Sequence, residues 1–281
     1  MTSAAPESRV PAGVDPTKAS MARVYDAFLN GKDNYEIDRK VLEMVRGAVP
    51  EAQDMATENR GFLIRAVRFL AAQTGIDQFL DCGSGLPTSE NVHQVAQRIN
   101  PEARVVYIDN DPVVLAHGRA LLEENDQTHF ASADIFNPPE ILENEIVRKH
   151  IDFSEPLIFL QVGTFQLHNG ARDEPAKVMQ SYIEALPSGS YVAFSHFLDP
   201  ENEHTATARK MEEQFLKSPM GRGTFRTWAE CAEFVEGLEL VEPGLVLCAD
   251  WWPDGPRIKP LNSVQNCFVC AVGRKPEDGA E

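Results

Sequence analysis

One stretch of the sequence, residues 78–87, most constrains what this chain can fold into. It reads Gln-Phe-Leu-Asp-Cys-Gly-Ser-Gly-Leu-Pro, a short apolar strand followed by an acid and two glycines. The pattern predicts that the strand delivers Asp81 to the edge of a sheet and that the chain turns at Gly83 and Gly85. A side chain at either glycine would collide with a ligand lying on the backbone or prevent a positive φ. A helix is expected to begin at about Thr88, which completes a junction typical of nucleotide-binding α/β sheets.

Two further predicted strands also end in acids. Residues 105–108, Val-Val-Tyr-Ile, form the apolar run expected of a strand buried on both faces. The run ends at Asp109, 24 residues after Gly85, where an acid can accept hydrogen bonds from both ribose hydroxyls of an adenosine ligand. A third strand, within residues 129–136, leads to Asp134 and to apolar residues that can pack on an adenine ring. The sequence therefore predicts three strand ends facing one crevice.

Residues 79–122 resemble the S-adenosylmethionine-dependent methyltransferases, and more narrowly a bacterial group once catalogued only as a domain of unknown function. The narrower similarity extends along almost the whole chain, through segments 30–35, 59–63, 81–87, 106–117, 186–191 and 237–244. The resemblance implies a doubly wound, Rossmann-like class I α/β sheet with an N-terminal helical lid and an antiparallel C-terminal edge hairpin. It also implies S-adenosylmethionine as the cofactor.

The same resemblance implies a set of cofactor-binding residues. They are Asp81, Cys82, Gly83, Ser84 and Gly85 at the first turn, Asp109 and Asn110 at the ribose, and Asp134 with Ile135 at the adenine. The sequence departs from the broad methyltransferase pattern at Pro87, where a third glycine is common. It also departs from the narrower group at residues 161–164, Gln-Val-Gly-Thr, where that group is usually more apolar.

About 75 residues, mostly of helical periodicity, precede the first strand. We predict a flexible tail over residues 1–16, a helical cap over residues 17–75, a Rossmann-like domain over residues 76–273 and a second tail over residues 274–281. Residues 31–35, Gly-Lys-Asp-Asn-Tyr, join the first two helices of the cap. We expect this turn to close over the methionyl end of the cofactor with Asp33 and Tyr35 in contact; the alternative is a solvated helix connection. Arg60 either pairs with the cofactor carboxylate or is an ordinary surface arginine.

The predicted order beyond the first turn alternates helices and strands. The helices are expected at residues 88–99, 112–123, 138–149, 175–186, 201–217 and 227–236, and the fourth and fifth strands at residues 156–161 and 191–195. His168 follows the fourth strand and His196 follows the fifth. Because methyl transfer to an oxygen or nitrogen can require proton removal, both histidines are candidate bases. The alternative for each is a solvated or hydrogen-bonded histidine.

The charge of the chain restricts its substrates. A formal net charge of −17 argues against nucleic acid as a substrate, despite small basic groups such as Arg148-Lys149. We therefore expect a small-molecule substrate; the alternative is a protein with basic patches. No apolar run approaches the ~20 residues that span a bilayer, and the N-terminus has no secretory pattern, so we expect a cytoplasmic protein without a membrane partner. The cysteines and histidines lack metal-ligand spacing, so no metal site is expected, and the oligomeric state is left open.

Two other classes of function stay open. The first is a regulatory protein that binds S-adenosylmethionine or S-adenosylhomocysteine without transferring a methyl group, because the chain has no decisive substrate motif. The second is a nicotinamide-dependent oxidoreductase. It is disfavoured because Thr88 occupies the third glycine position of that fingerprint. In addition, Asp81 suits a cationic methionyl group better than a pyrophosphate.

Overall fold

The computed structural model describes residues 14–88, 90–121 and 125–277, so the predicted terminal tails lie largely outside the described residues. The described α-helices are α1 Met21–Phe28, α2 Glu36–Ala48, α3 Gln53–Gln73, α4 Val92–Gln97, α5 Pro112–Leu121, α6 Pro138–Leu142, α7 Glu145–His150, α8 Glu174–Ala185, α9 Thr205–Lys217 and α10 Trp228–Ala232. The described strands are β1 Gln78–Cys82, β2 Arg104–Asp109, β3 Thr128–Ser132, β4 Ile158–Val162, β5 Tyr191–Phe197, β6 Glu239–Leu240, β7 Val246–Leu247 and β8 Phe268–Arg274. Among these helices none is both long enough and apolar enough to cross a bilayer.

The described strands form one sheet in the order β3-β2-β1-β4-β5-β8-β6, with β7 also paired to β8. Strands β1 to β5 are parallel, whereas β8 is antiparallel to β5, β6 and β7. This arrangement confirms the predicted Rossmann-like sheet and its antiparallel last strand. The outer edge is formed by the two-residue strands β6 and β7, and the longer, buried β8 lies inside the sheet.

Side chains on neighbouring strand positions enter different cores. In β2, Val105 and Tyr107 belong to one hydrophobic cluster, while Val106 and Ile108 belong to another. The first cluster includes residues of α1 to α5 and α9, and the second includes residues of α6, α7 and α8. Helices therefore cover both faces, as a parallel sheet requires. The helices that precede β1 share the first core with the sheet and do not form a core of their own.

The first two helices are tied together by one buried carboxylate. The guanidinium of Arg23 donates from Nε to Asp38 at 2.8 Å, and both side chains are almost fully buried. Asp38 also accepts from the backbone N–H groups of Ser20, at 3.1 Å, and of Tyr35, at 2.8 Å. A single side chain thus fixes the start of α1 and the start of α2, and with them the turn at residues 31–35.

The helix predicted at residues 201–217 begins only at Thr205, and local capping explains two further differences between the predicted and observed helices. Helix α4 begins at Val92 and not at Thr88, because Asn91 is the N-cap and its backbone N–H donates to the Gln94 side chain at 2.9 Å. The single helix predicted at residues 138–149 is two helices. Asn144 interrupts it by accepting from the N–H of Ile146 at 3.0 Å, which starts α7. The predicted end of α5 at residue 123 lies outside the described residues.

Candidate functional site

The switch point of the sheet lies between β1 and β4, where the strand order reverses. In open α/β sheets, ligands bind at such a point, outside the carboxyl ends of the strands. There β1 passes into the glycine turn, in which φ is +81° at Gly83 and +68° at Gly85. A Cβ at Gly83 would come within 2.5 Å of the Thr164 side chain, whereas one at Gly85 would meet nothing within 4 Å. The turn therefore packs on the β4 side at its first glycine and is open at its second.

Asp109, at the end of β2, joins the glycine turn to the second strand end. Its carboxylate accepts from the backbone N–H of Gly85 at 3.0 Å and from that of Asp111 at 2.9 Å. Burial raises the pKa of Asp109 to about 6, and these two backbone hydrogen bonds oppose the increase. Each carboxylate oxygen accepts more than one hydrogen bond. The group can therefore keep the turn in place and also accept ligand hydroxyls.

Asp81, at the end of β1, is a buried carboxyl group with no hydrogen bond to any described residue. It is only 5% exposed. Burial raises the pKa of Asp81 to about 7, while the nearby positive charge of Arg60 lowers it. A buried carboxyl group in this state is stabilised by an arriving cation, which favours the ionised form.

Arg60 belongs to α3 and reaches across the loop that follows the glycine turn. Its guanidinium donates to the hydroxyl of Thr88 and to the backbone carbonyl of Glu90. The hydroxyl oxygen of Ser84, in the turn itself, is buried without a partner among the described residues. Arg60 is therefore held beside the loop after the glycine turn by protein contacts, and its pairing with the cofactor carboxylate stays a prediction.

The other cofactor residues predicted at the strand ends have distinct environments. Asp134 and Ile135 are half-buried after β3; Asp134 accepts from the N–H of Phe136 at 3.0 Å. Asn110 is exposed after β2. Cys82 is buried in the second core, and burial raises the pKa of its thiol well above the ordinary value, so Cys82 can offer a ligand only its backbone.

The helical cap contacts the β2 side of the crevice. Ser20, the N-cap of α1, donates through its hydroxyl to the carboxylate of Asp111. In the turn at residues 31–35, a carboxylate oxygen of Asp33 lies 3.8 Å from Nδ1 of His117 on α5. Both contacts involve the loop or helix that follows Asp109. The cap is thus anchored beside the predicted ribose position.

Within the turn, several polar groups are already paired. Asp26 accepts from the backbone N–H of Asp33 at 3.0 Å and from the side-chain amide of Asn34 at 2.7 Å. The aromatic ring of Tyr35 lies under the guanidinium of Arg23, 4.9 Å from its carbon to the ring centroid. The turn is therefore an ordered connection. Ligand contacts by Asp33 and Tyr35 stay a prediction.

The end of β4 carries polar groups that were not predicted as site residues. Gln161 is fully buried; its Oε1 accepts from the hydroxyl of Thr164, and its Nε2 has no partner among the described residues. Gln166 donates to the carbonyl of Gly163 at 2.7 Å, and its Oε1 is likewise unpaired within the described chain. An unpaired buried polar atom costs about 1–3 kcal/mol. The signal in the sequence was a polar Gln-Val-Gly-Thr run ending an apolar strand.

A second missed group is a network centred on Asn59 of α3. Asn59 donates to the phenol oxygen of Tyr25 at 3.1 Å and accepts from the hydroxyl of Ser195 at 2.6 Å. The side-chain amide of Asn59 also packs against Gly163, where a Cβ would come within 2.6 Å of Asn59 Nδ2. The network links α1, α3 and β5 at the carboxyl ends of β4 and β5. Its members are far apart along the chain, so no local pattern indicated it.

His168 lies directly after the short 3₁₀ helix Phe165–Leu167 that follows β4. Its Nε2 lies 3.4 Å from a carboxylate oxygen of Glu174, and its imidazole meets the ring of Phe136 edge-on at 4.9 Å. Nδ1 is buried without a partner among the described residues. Pairing with Glu174 favours the tautomer with the proton on Nε2, which leaves Nδ1 free to accept a proton.

His196 differs from His168 in that both ring nitrogens are engaged. Nδ1 lies 2.8 Å from the carbonyl of Phe197 and Nε2 lies 3.0 Å from the guanidinium of Arg226. The side chain is fully buried. Burial, reinforced by the charge of Arg226, lowers the pKa of His196 to about 3. The guanidinium is a donor only, so Nε2 already accepts its hydrogen bond. We therefore leave His196 out of the proposed catalytic groups and regard it as a structural residue.

Comparisons with known proteins agree with this geometry. A family model described as S-adenosyl methyltransferase matches residues 7–276. The chain is 41% identical to a protein from Thermobifida fusca YX that is assigned as a methyltransferase; the match covers 96% of this chain and 100% of that one, with a TM-score of 0.89. It is 35% identical to a DUF574 family protein from Streptomyces avermitilis, over 92% of this chain and 98% of that one, with a TM-score of 0.85. No curated protein matches the chain.

Proposed function

The chain belongs to the S-adenosyl methyltransferase family whose model spans residues 7–276, and we propose that it transfers a methyl group from S-adenosylmethionine to a small-molecule acceptor. The observation that carries this proposal is a concentration of unpaired polar atoms at the switch point. Four of the described residues with a buried side-chain atom that has no partner lie here, namely Ser84, Gln161, Gln166 and His168, while Ser188 and Trp251 have such atoms elsewhere. All four residues follow β1 or lie at and after the end of β4, where the fold binds its ligands.

The residues of the first strand ends fit the cofactor. S-adenosylmethionine carries an ammonium group and a sulfonium, which suit the unpaired carboxyl of Asp81. Its ribose hydroxyls suit the carboxylate of Asp109. The space beside Gly85 is open, so the cofactor can lie against the backbone there. When bound, the cofactor supplies an electrophilic methyl group. The protein has to align the acceptor with it and exclude water.

His168 is the group best placed to remove a proton from the acceptor. With Nε2–H directed at Glu174, the lone pair of Nδ1 is the one available to the acceptor, and the carboxylate stabilises the imidazolium that forms. Glu174 is more than half exposed, so its contribution is limited by solvent. We assign His168 as the base and Glu174 as the residue that orients it.

A small acceptor is supported by burial and charge. Gln161 is fully buried and Gln166 is 3% exposed, so an acceptor that pairs with their free atoms has to be small enough to enter the crevice. A polymer with a phosphate backbone is disfavoured as the acceptor, because its negative charge would be repelled by a chain of net charge −17.

We also propose the cytoplasm as the compartment, as the sequence predicts. All five cysteines are buried free thiols, and free thiols are typical of a reducing compartment.

The proposal is tested by following a labelled methyl group. The protein is incubated with methyl-labelled S-adenosylmethionine and a cell extract that is then separated into small molecules, proteins and nucleic acids. We expect label in the small-molecule fraction. His168→Gln should reduce that transfer by about a hundredfold without weakening the binding of S-adenosylhomocysteine, whereas His204→Ala, a histidine on the α9 side, should transfer normally.

Other distributions of label contradict the proposal. Label confined to the protein or nucleic-acid fraction would reject a small acceptor. Tight binding of S-adenosylhomocysteine with no transfer into any fraction would favour the regulatory binding protein. Tighter binding of NAD than of S-adenosylhomocysteine, measured by calorimetry, would reject both.

A further inference from the structure

A second cleft lies at the amino-terminal ends of the parallel strands, whereas the glycine turn lies at their carboxyl ends. It has a volume of about 390 Å³, and its lining includes Arg104, Arg148, Lys149 and His150. Arg104 begins β2 and Asp109 ends it, so at about 3.3 Å per residue these two residues are about 17 Å apart. The cleft is therefore separate from the cofactor crevice.

The two guanidinium groups of the cleft are held in place by protein contacts. Arg104 donates from Nη1 to the carbonyl of His150 at 3.4 Å. Arg148 donates from Nε to the carbonyl of Leu142, and its guanidinium carbon lies 5.0 Å from the ring centroid of Phe153. Side chains that are ordered before binding lose less conformational entropy when a ligand arrives. The Nη2 group of Arg148 and the ammonium of Lys149 make no ion pair with any described carboxylate.

Carboxylates compensate these cations only in part. Asp77 lies 3.4 Å from Arg104. Asp152, which lines the cleft, uses one oxygen to accept from the N–H and hydroxyl of Ser154. The local balance is therefore cationic, in a chain whose formal net charge is −17. The C-terminus of α7 favours cations at Arg148 and Lys149 through the helix dipole, but it does not explain why Arg104 converges on them from β2.

The environment of His150 reports the same excess of positive charge. Its pKa is lowered first by burial, then by the neighbouring His129, and then by the positive charges of Lys149 and Arg104. Rings of His129 and His150 stack with centroids 3.4 Å apart. No carboxylate of the described chain contributes to this shift.

From this convergence, we infer that the cleft binds a small phosphorylated anion of the pyrophosphate type. Guanidinium groups present paired N–H donors that match phosphate oxygens, and Lys149 adds a point charge. The lining is mostly polar, which suits phosphate groups better than an apolar ligand. The volume is within the range of small-molecule sites. The inference does not depend on the methyl acceptor.

The test uses inorganic pyrophosphate and the full-length protein saturated with S-adenosylhomocysteine, so that the glycine turn is occupied. Calorimetry is performed at constant ionic strength, because salt screens such sites. We expect saturable binding that R148Q/K149Q weakens by about tenfold or more. The control K177Q/K217Q removes the same charge from exposed lysines of α8 and α9 and should bind like the wild type.

A second readout locates the bound anion. Backbone amide resonances of residues 151–154 should shift on addition of pyrophosphate in the wild type and not in R148Q/K149Q. Equal affinities for the two double variants, or shifts confined to other residues, would overturn the inference. So would the lack of saturable binding to a wild type that still binds S-adenosylhomocysteine.

Discussion

At the scale of single residues, the protonation of Asp81 is expected to make cofactor binding depend on pH. Its carboxyl is buried and unpaired within the described chain, and burial raises its pKa to about 7. The sign follows from the charge of the ligand. A cation beside Asp81 favours the ionised form and lowers this pKa, so binding near neutral pH has to release a proton.

We predict that the wild type releases a substantial fraction of a proton when S-adenosylmethionine binds at pH 6.5, and that its affinity increases as pH rises from about 6 to 8. Calorimetry in two buffers of different ionisation enthalpy measures the released proton. Asp81→Asn should bind about tenfold more weakly and lose most of the release. Proton uptake on binding, or release that Asp81→Asn leaves unchanged, would place the cationic end of the cofactor elsewhere.

The two glycines of the turn are expected to respond differently to alanine. Gly83→Ala adds a methyl group within 2.5 Å of Thr164, at φ +81°. We predict that it lowers the free energy of unfolding by about 2–4 kcal/mol. Gly85→Ala meets nothing within 4 Å, so only its positive φ costs stability, by about 1 kcal/mol.

Chemical denaturation of the two variants measures this difference in stability. Calorimetry with S-adenosylhomocysteine measures their binding affinities. Gly85→Ala should remain folded and bind at least about tenfold more weakly, because its methyl group points into the open crevice. Equal stability of the variants would contradict the packing of the turn on β4. Normal binding by Gly85→Ala would contradict the location of the ligand.

At the scale of elements, the sequence predicted what repeats locally and missed what is joined over long distances. The apolar run at residues 105–108 and the acid after it identified β2 and its end correctly. The start of α4 was misplaced because Thr88 and Asn91 are both good cap residues, and only the hydrogen bond to Gln94 distinguishes them. The Asn59–Ser195 contact spans 136 residues, so periodicity could not reveal it.

The turn at residues 31–35 is the element for which a lid role stays a prediction. The sequence predicts that the turn closes over the methionyl end of the cofactor; because Asp33 faces His117 on α5, the structure leads us to expect protection on the ribose side of the crevice instead. Binding of S-adenosylhomocysteine should slow amide exchange in this turn. Asp33→Asn should diminish that protection, whereas Glu36→Gln, which changes an exposed carboxylate at the start of α2, should not. Unchanged exchange in a ligand-saturated wild type would make the turn a packing connection only.

At the scale of the whole molecule, the two ends of the parallel strands carry different groups. The carboxyl ends hold the acids Asp81 and Asp109 and the unpaired polar atoms after β4, whereas the cations of the second cleft lie at the amino ends. The acids that follow the strands made the first group predictable from the sequence. The second depends on Arg104 meeting α7, which is a consequence of tertiary folding.

The central claim is that the cofactor binds at the switch point with its ribose on Asp109. A crystal structure of the S-adenosylhomocysteine complex tests it most directly. We predict both ribose hydroxyl oxygens within about 3 Å of the Asp109 carboxylate, with the amino group of the ligand near Asp81 and its backbone approach at Gly85. A ribose bound away from Asp109, or a ligand bound outside the crevice between β1 and β4, would contradict the account.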